Sequence, residues 1–368
     1  MTADQDLRWM RAALTLARRG LGRVAPNPAV GAVIVKDGRL VGQGWTRPSG
    51  RPHAERVALD QAGEAARGAD VYVTLEPCAH YGRTPPCADG LVDAGVARVL
   101  ACIGDPDPRV DGRGFARLRE ADVIVEVGLR AAEAERLNEG FLSLHRRGRP
   151  HLTLKLAGSL DGRIATASGE SRWISGAPAR AHVHLLRARS DAILVGMGTV
   201  RADDPRLDVR LPGLEDRSPM PVLLDPRASL DPATRLARGA RARPVLLLHG
   251  PQADPARLAA LEAMGLRLRP CPLDPAGDGL DLAAALDVLG EARLTRVLCE
   301  GGGRLAAALA GAGLADEIAW IQAGLALGAE GRPALGPLAL DRLTDAPRYA
   351  LAETRPLGAD VLSVWRPA

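Results

Sequence analysis

The stretch TLEPCAHYGRTPPC, residues 74–87, follows a short apolar run, DVYV, that reads as a strand, and it holds two of the chain's five cysteines with eight residues between them. A closely spaced zinc pair usually has two to four intervening residues, so the interval raises the question of whether the two thiols share a metal at all. The answer depends on a third ligand.

Upstream, PHAE sets His53 and Glu55 two apart where a helical pattern begins. A histidine, one residue and a glutamate, followed later by Pro-Cys and a second cysteine, is the signature of a zinc deaminase, and EPC at 76–78 and PPC at 85–87 follow in that order. One imidazole and two thiolates, from His53, Cys78 and Cys87, hold Zn²⁺ at three corners of a tetrahedron. The fourth is left for a water whose pKa the cation lowers. Glu55, not a ligand, is placed to take the water proton and return protons to a ring and a departing amine. Cys78 is expected at a helix start, where the dipole favours its thiolate. Singly, His53 reads as a cap, Cys78 as a small buried residue, Cys87 as a loop thiol and Glu55 as first-turn charge. Jointly, they point to hydrolytic deamination.

Five cysteines, an odd number in a long chain, argue against a disulfide framework and for reduced thiols. No apolar run is long enough to cross a bilayer, and the first twenty residues pattern as an amphipathic helix, so a cytoplasmic protein is expected. The formal charge is +4, basic and acidic residues are interspersed, and only ten aromatics are available to stack on bases. These features suit a small anionic substrate and exclude nucleic acid and membrane as the expected partners; a homo-oligomer is compatible with them. Of 48 basic residues only Lys36 and Lys155 are lysine, so each stands against the chain's habit of using arginine.

With 368 residues, two domains are expected. The first half alternates helix and strand patterns: a helix over 6–19, a hairpin turning at Asp37-Gly38, a helix from 53, strands DVYVTL and ARVLACI, and a helix over 129–138. The Pro/Gly-marked segment HRRGRP, residues 145–150, reads as a linker, which gives domains 1–147 and 148–368. Beyond it, strands such as HLTLKLA, DAILVG, PVLLLHG and RVLCEGG alternate with helix-length segments, implying a largely parallel, helix-covered sheet.

Four segments of the second half can be read for chemistry: KLAGSLDGRIA, SGESRWIS, VGMGTVRADDPRLDVR and CEGGGRLAAAL. VGMGTV and CEGGGRLAAAL each read as a strand opening through glycine into a helix, where backbone N–H groups can approach phosphate, and two such turns at one sheet edge define a dinucleotide cleft. GGG also serves as a plain tight turn. RADDPRLDVR adds acidic and basic groups at the same edge; Asp203 can equally cap a turn, and Arg187 and Arg210 can lie on a solvated face.

APNPAVGAVIV, PHAE, VTLEPCAHYGRTPPC and DPDPRVDGRG resemble the first half of the bifunctional riboflavin-biosynthesis deaminase/reductases, and the segments just described resemble the second half. In that family the long cysteine interval is the normal one, the extra residues AHYGRTPP forming a substrate-side loop. The resemblance implies an α/β chain with an N-terminal cytidine-deaminase-like α/β/α domain and a C-terminal dihydrofolate-reductase-like α/β domain. It implies that Asn27 and His80 contact a phosphorylated pyrimidine. It implies NADPH against Ala157, Trp173, Thr199, Asp203, Gly302, Gly303, Arg304, Leu305, Ala306, Ala307 and Ala308. Ser171, Arg187, Leu207, Arg210 and Glu300 would hold the phosphorylated ribosyl substrate. Lys155, on a strand leading to the same edge, would position or polarise it, a buried ion pair being the alternative. Two positions depart from the family: Thr46 and Val57 stand where histidines are common. Two rivals are a zinc deaminase of another base fused to a nucleotide-binding domain, and a zinc-stabilised nucleotide-binding regulator with His80 as fourth ligand.

Overall fold

The alternating run GAVIVK folds as β1 (Gly31–Lys36), turns at Asp37-Gly38, both with positive φ, and returns as β2 (Arg39–Trp45). This is the expected hairpin, with a register shift between Ile34 and Val35. The computed structural model describes residues 2–82, 85–275 and 279–368. The chain divides into two units, Met1–Gly148 and Arg149–Ala368.

In the first unit the remaining strands are β3 (Asp70–Val73), β4 (Arg98–Ala101) and β5 (Ile124–Val127), in sheet order β2-β1-β3-β4-β5, with β3, β4 and β5 parallel. The helices are α1 (Ala3–Ala17), α2 (Ala54–Ala62), α3 (Cys87–Asp93), α4 (Arg113–Arg119) and α5 (Ala131–Arg147). Glycines in the hairpin set how closely helices approach it. A Cβ on Gly31 would lie 1.9 Å from the Ala13 carbonyl of α1, and one on Gly44 would lie 2.2 Å from the Ala54 carbonyl of α2. Gly44 pairs with Ala32, the neighbour of Gly31, so the two glycines face opposite sides of the sheet. The layering is therefore helix, sheet, helix, and α2 is seated with its first turn fixed against β2. Helix α5 runs through Arg147, past the expected end and into the segment read as a linker. It is interrupted at Asn138, whose buried amide accepts from the Ala29 N–H (2.9 Å) and donates to the Ala29 carbonyl (3.2 Å).

The second unit contains β6 (His151–Gly158), β7 (Arg163–Ala165), α6 (Ala177–Ala188), β8 (Ala192–Gly196), α7 (Met197–Asp203), β9 (Met220–Leu224), α8 (Arg235–Gly239), β10 (Leu246–His249), α9 (Pro255–Ala263), β11 (Arg267–Pro270), α10 (Leu282–Glu291), β12 (Arg296–Cys299), α11 (Gly303–Gly311), β13 (Glu317–Gln322), β14 (Arg332–Pro333), β15 (Tyr349–Leu357) and β16 (Asp360–Pro367). Nine strands form one sheet in the order β11-β10-β9-β8-β12-β6-β13-β16-β15, parallel as far as β13 and antiparallel across β16 and β15. Strand β6 buries Leu152, Leu154 and Leu156 on one face and leaves Thr153, Lys155 and Ala157 on the other only partly covered. That period of two aims Lys155 and Ala157 out of the leucine layer. Among the described residues no helix is long and apolar enough to cross a membrane.

Candidate functional site

His53 is the residue preceding α2, and Glu55 lies in the helix's first turn, 3% exposed. The chain leaves β3 and reaches Cys78 in an irregular segment, then meets Cys87 as the first residue of α3. The expectation for Cys78 at a helix start is thereby corrected: the helix begins at Cys87. The electrostatic benefit still reaches Cys78, because the Cys87 N–H at the start of α3 donates to its sulfur (3.3 Å). His53 Nδ1 lies 3.6 Å from the Cys78 sulfur and 3.3 Å from the Cys87 sulfur. Ligand atoms of His53, Cys78 and Cys87 all lie within 4.8 Å of one another, and no other His, Cys, Asp or Glu joins them among the described residues.

An imidazole and two thiols gathered this tightly fit a zinc ion with one position to spare. His80, which the regulator reading needs as a fourth ligand, stands outside the cluster, partly buried, its Nδ1 without a hydrogen-bond partner among the described residues. Hydrogen bonding from Cys87 draws the Cys78 thiol down to about 4, and the Cys78 contact raises His53. Burial pushes Glu55 up to about 7, against the opposing pull of His53. Glu55 also bonds Cys87, so its carboxyl adjoins the ligand cluster without belonging to it. A group balanced between its two protonation states near neutrality is suited to taking a proton and giving it back.

Glu76, two residues before Cys78, escaped the sequence reading as a functional residue. Its buried carboxylate accepts from four backbone N–H groups: Asp105 (3.2 Å), Gly112 (3.1 Å), Gly114 (2.9 Å) and Phe115 (3.2 Å). A Cβ on Gly114 would sit 2.0 Å from the Pro77 carbonyl. The segment DPDPRVDGRG is thus wrapped onto the residues that present Cys78. Its own turn is tied by Asp107, which accepts from Arg109 and is held down to about 2 by that pairing. Outer groups that orient metal ligands typically contribute 10–100-fold to metal affinity. Glu76→Gln and Gly114→Ala are each expected to weaken zinc binding by about that factor while leaving NADPH oxidation unchanged, as read by competition with a chromophoric chelator.

Asn27 lies over Gly50, where a Cβ would fall 1.9 Å from its amide nitrogen, in the segment that leads to His53. Thr46 is buried and its hydroxyl accepts from the Val30 N–H (3.0 Å), tying the end of β2 to the start of β1, while Val57 of α2 packs against Gly44 of β2. Of the loop AHYGRTPP, residues 83 and 84 lie outside the described residues.

In the second unit, β12 lies between β8 and β6, which brings together residues far apart in sequence. Glu300, just past β12, forms a two-pronged pair with Arg187 of α6 (2.6 and 2.9 Å), and the third arm of that guanidinium donates to the Asp208 carbonyl (2.9 Å). Burial pushes Glu300 up, but Arg187 and Lys155 outweigh it and hold its carboxyl below the ordinary value. Burial draws the Lys155 ammonium down, opposed by Glu300. Arg210 pairs with the Asp208 carboxylate, and its N–H donates to His184 Nδ1 (3.3 Å). His184 and Asp208 thereby join the cluster, neither having been singled out from sequence. Leu207, buried with φ of 51°, turns the chain between them.

The two glycine-bearing turns meet as well: the Gly302 N–H donates to the Thr199 hydroxyl (3.1 Å). Gly302 precedes α11, and the first helix-made bond of that turn is from Ala306 N–H to the Gly302 carbonyl, so the N–H groups of Gly303, Arg304 and Leu305 point out of the helix end. Ala306 and Ala307 are buried in the core and Ala308 is exposed. Asp203 ends α7 and is exposed. Ala157 borders the same edge from β6. Ser171 and Trp173 are exposed, and Arg180 lies over the Trp173 ring at 4.5 Å.

Family models place these two sites in known company. One described as the cytidine and deoxycytidylate deaminase zinc-binding region matches residues 3–103, and one described as the RibD C-terminal domain matches residues 150–363. The chain is 44% identical to riboflavin biosynthesis protein RibD of Escherichia coli strain K12, over 97% of this chain and 98% of that protein. It is similar to the solved structure of Acinetobacter baumannii RibD, at 39% identity and a TM-score of 0.88 over 99% of both chains. A Thermotoga maritima diaminohydroxyphosphoribosylaminopyrimidine deaminase/5-amino-6-(5-phosphoribosylamino)uracil reductase gives 32% identity and 0.86, again over 99% of both.

Proposed function

We propose, from the premise that this chain belongs to the RibD family, that its two units divide two consecutive reactions between the two sites described above. The protein is a bifunctional enzyme of riboflavin biosynthesis, a zinc-dependent deaminase and an NADPH-dependent reductase. The reading of the first site rests on one observation above others: three ligands converge and a buried glutamate adjoins them. His53, Cys78 and Cys87 would hold Zn²⁺, which supplies a water-derived nucleophile near neutral pH. Glu55 takes a proton from the attacking water and delivers protons to the pyrimidine ring nitrogen and the leaving amine, so that a C–O bond forms, a C–N bond breaks and ammonia departs. The substrate in this reading is 2,5-diamino-6-ribosylamino-4(3H)-pyrimidinone 5′-phosphate, with Asn27 and His80 at its ring.

For the second site, NADPH supplies the hydride that reduces C1′ of the ribosyl group. Thr199, Asp203, Ala157, Trp173 and the turn from Gly302 to α11 receive the cofactor. Ser171, Leu207, Arg187 and Arg210 receive the substrate, guanidinium forks being suited to a phosphate monoester. Lys155 beside Glu300 polarises the sugar ring oxygen and holds a proton for it as the ring opens to 5-amino-6-(5-phospho-D-ribitylamino)uracil. We place both reactions in the cytoplasm, on a chain that acts on small molecules, not on nucleic acid or membranes, and that is compatible with a homo-oligomer.

A coupled assay with the diaminopyrimidine substrate, following ammonia and NADPH separately, tests this division: one ammonia should be released for each NADPH oxidised, and absence of ammonia from zinc-loaded protein would refute the first half. Arg210→Ala is expected to raise the reductase KM for the pyrimidine by about tenfold or more, the usual loss of a charged hydrogen bond, with the KM for NADPH unchanged. An unchanged pyrimidine KM removes Arg210 from the phosphate site.

A further inference from the structure

A cavity of about 770 Å³ opens on the second unit between the loop after α7 and helix α8; Lys155, Arg187 and Glu300 are not among its lining residues, and it meets their cluster only at Asp208. Four guanidiniums line it, those of Arg206, Arg235, Arg238 and Arg243, over an apolar floor that includes Leu236 and Val245. Its one acidic lining residue, Asp208, is already engaged by Arg206 (3.0 Å) and by Arg210. Arg235 reaches outward to Asp204 at 3.5 Å. Arg243 is partly buried and spends its donors on main-chain carbonyls, those of Leu207 (3.0 Å) and Arg206. Arg238 is exposed and has no acidic partner among the described residues. Burial draws the Arg243 guanidinium below its ordinary value, opposed by Asp208. Positive charge is thus gathered in a concavity without matching negative charge, and the volume suits a small molecule with one flat apolar part.

We propose that this cavity is a second anion-binding site, taking a phosphate monoester of mononucleotide size, and that its occupancy weakens substrate binding at the reductase site. The guanidinium of Arg238 supplies the fork that a phosphate dianion accepts from, Arg243 adds its positive charge, and Leu236 and Val245 supply the apolar floor. The coupling runs through residues 206–208. Asp208 shares its carboxylate between Arg206 and Arg210, and its carbonyl holds Arg187. An anion that draws Arg206 into the cavity leaves Asp208 to bind Arg210 more fully, and Arg210 is then less available to the substrate phosphate. By linkage, substrate weakens the anion by the same factor. The coupling rests on the reading of Arg210 as a substrate contact; the binding does not.

The test is a calorimetric titration of the zinc-loaded full chain, its cofactor cleft filled with NADP⁺, with adenosine 5′-monophosphate. Saturable binding is expected, absent with adenosine, weakened about tenfold or more by Arg238→Glu and retained in Arg210→Ala. No saturable binding, equal affinity in Arg238→Glu, or loss in Arg210→Ala alone would each overturn the site, the last because the nucleotide would then occupy the substrate's own phosphate position. In steady state, the nucleotide should raise the reductase KM for the pyrimidine about fivefold at constant kcat, and should not do so in Arg238→Glu. Binding without that KM change would overturn the coupling and leave the site standing.

Discussion

Glu55→Gln is expected to lower deamination by about 10²–10⁴-fold, the span that a positioned acid or base contributes, while zinc content and NADPH oxidation on the deaminated intermediate stay at wild-type levels. The amide keeps the size of the side chain in a site where only 3% of the residue is exposed, so packing of α2 against β2 is preserved. What is lost is the exchangeable proton of a carboxyl that burial brings to about 7. The candidate ligands His53, Cys78 and Cys87 stay gathered without it. Metal analysis beside ammonia release separates the outcomes. Loss of zinc in the variant would make Glu55 a structural partner of Cys87 and not the proton carrier, and loss of both activities would refute two independent sites.

Glu300→Gln is expected to be the most damaging single change in the second unit. The carboxylate faces Arg187 at 2.6 and 2.9 Å and offsets the partly buried Lys155. Removing its charge leaves two cations close together with no anion between them, and breaking a buried pair in this way costs about 3–5 kcal/mol. The second unit should melt earlier and NADPH oxidation should fall by at least about 10²-fold, while ammonia release persists. Lys155→Met in the same chain removes one of the two cations and should recover part of the lost thermal stability without recovering turnover. Recovery of turnover would show that Lys155 is only a structural partner of Glu300. A scanning melt with the two activities assayed separately distinguishes these results.

The parts of this protein that were legible in its sequence are those where local chemistry and local pattern coincide. The β1–β2 hairpin announced itself through alternation and through Asp37-Gly38, residues that tolerate positive φ. The candidate metal ligands were legible because a zinc deaminase demands particular side chains in a fixed order. Helix α3 was not, since seven residues containing a glycine and preceded by two prolines carry little helical signal, and Cys78 was consequently assigned the helix start that belongs to Cys87. The end of α5 reads as a linker in sequence because Arg146, Arg147 and Gly148 resemble a loop in composition, although basic residues and a glycine also close a helix favourably. Strand β15 is exposed along nearly its whole length, so it has no alternation to read. Glu76, His184 and Asp208 were missed for a common reason. Each acts through main-chain groups or neighbours contributed by distant segments, and no residue type at any spacing foretells that.

Glu76 holds residues 105–115 entirely through peptide N–H groups, four of them, and touches none of their side chains by hydrogen bond. Its demand on that segment is therefore blind to most amino-acid identities. Any residue but proline can donate; position 114, where a methyl group would strike the Pro77 carbonyl, must stay bare, and position 112, at a φ of 83°, favours glycine. The segment's own turn does depend on side chains, since Asp105 and Asp107 accept from the Asp107 and Arg109 N–H groups (2.9 and 3.0 Å); identity is free only where a peptide N–H alone is used. Heritable change there would surface as proline intolerance and as an unvarying pair, one glutamate and one glycine, separated by 37 intervening positions.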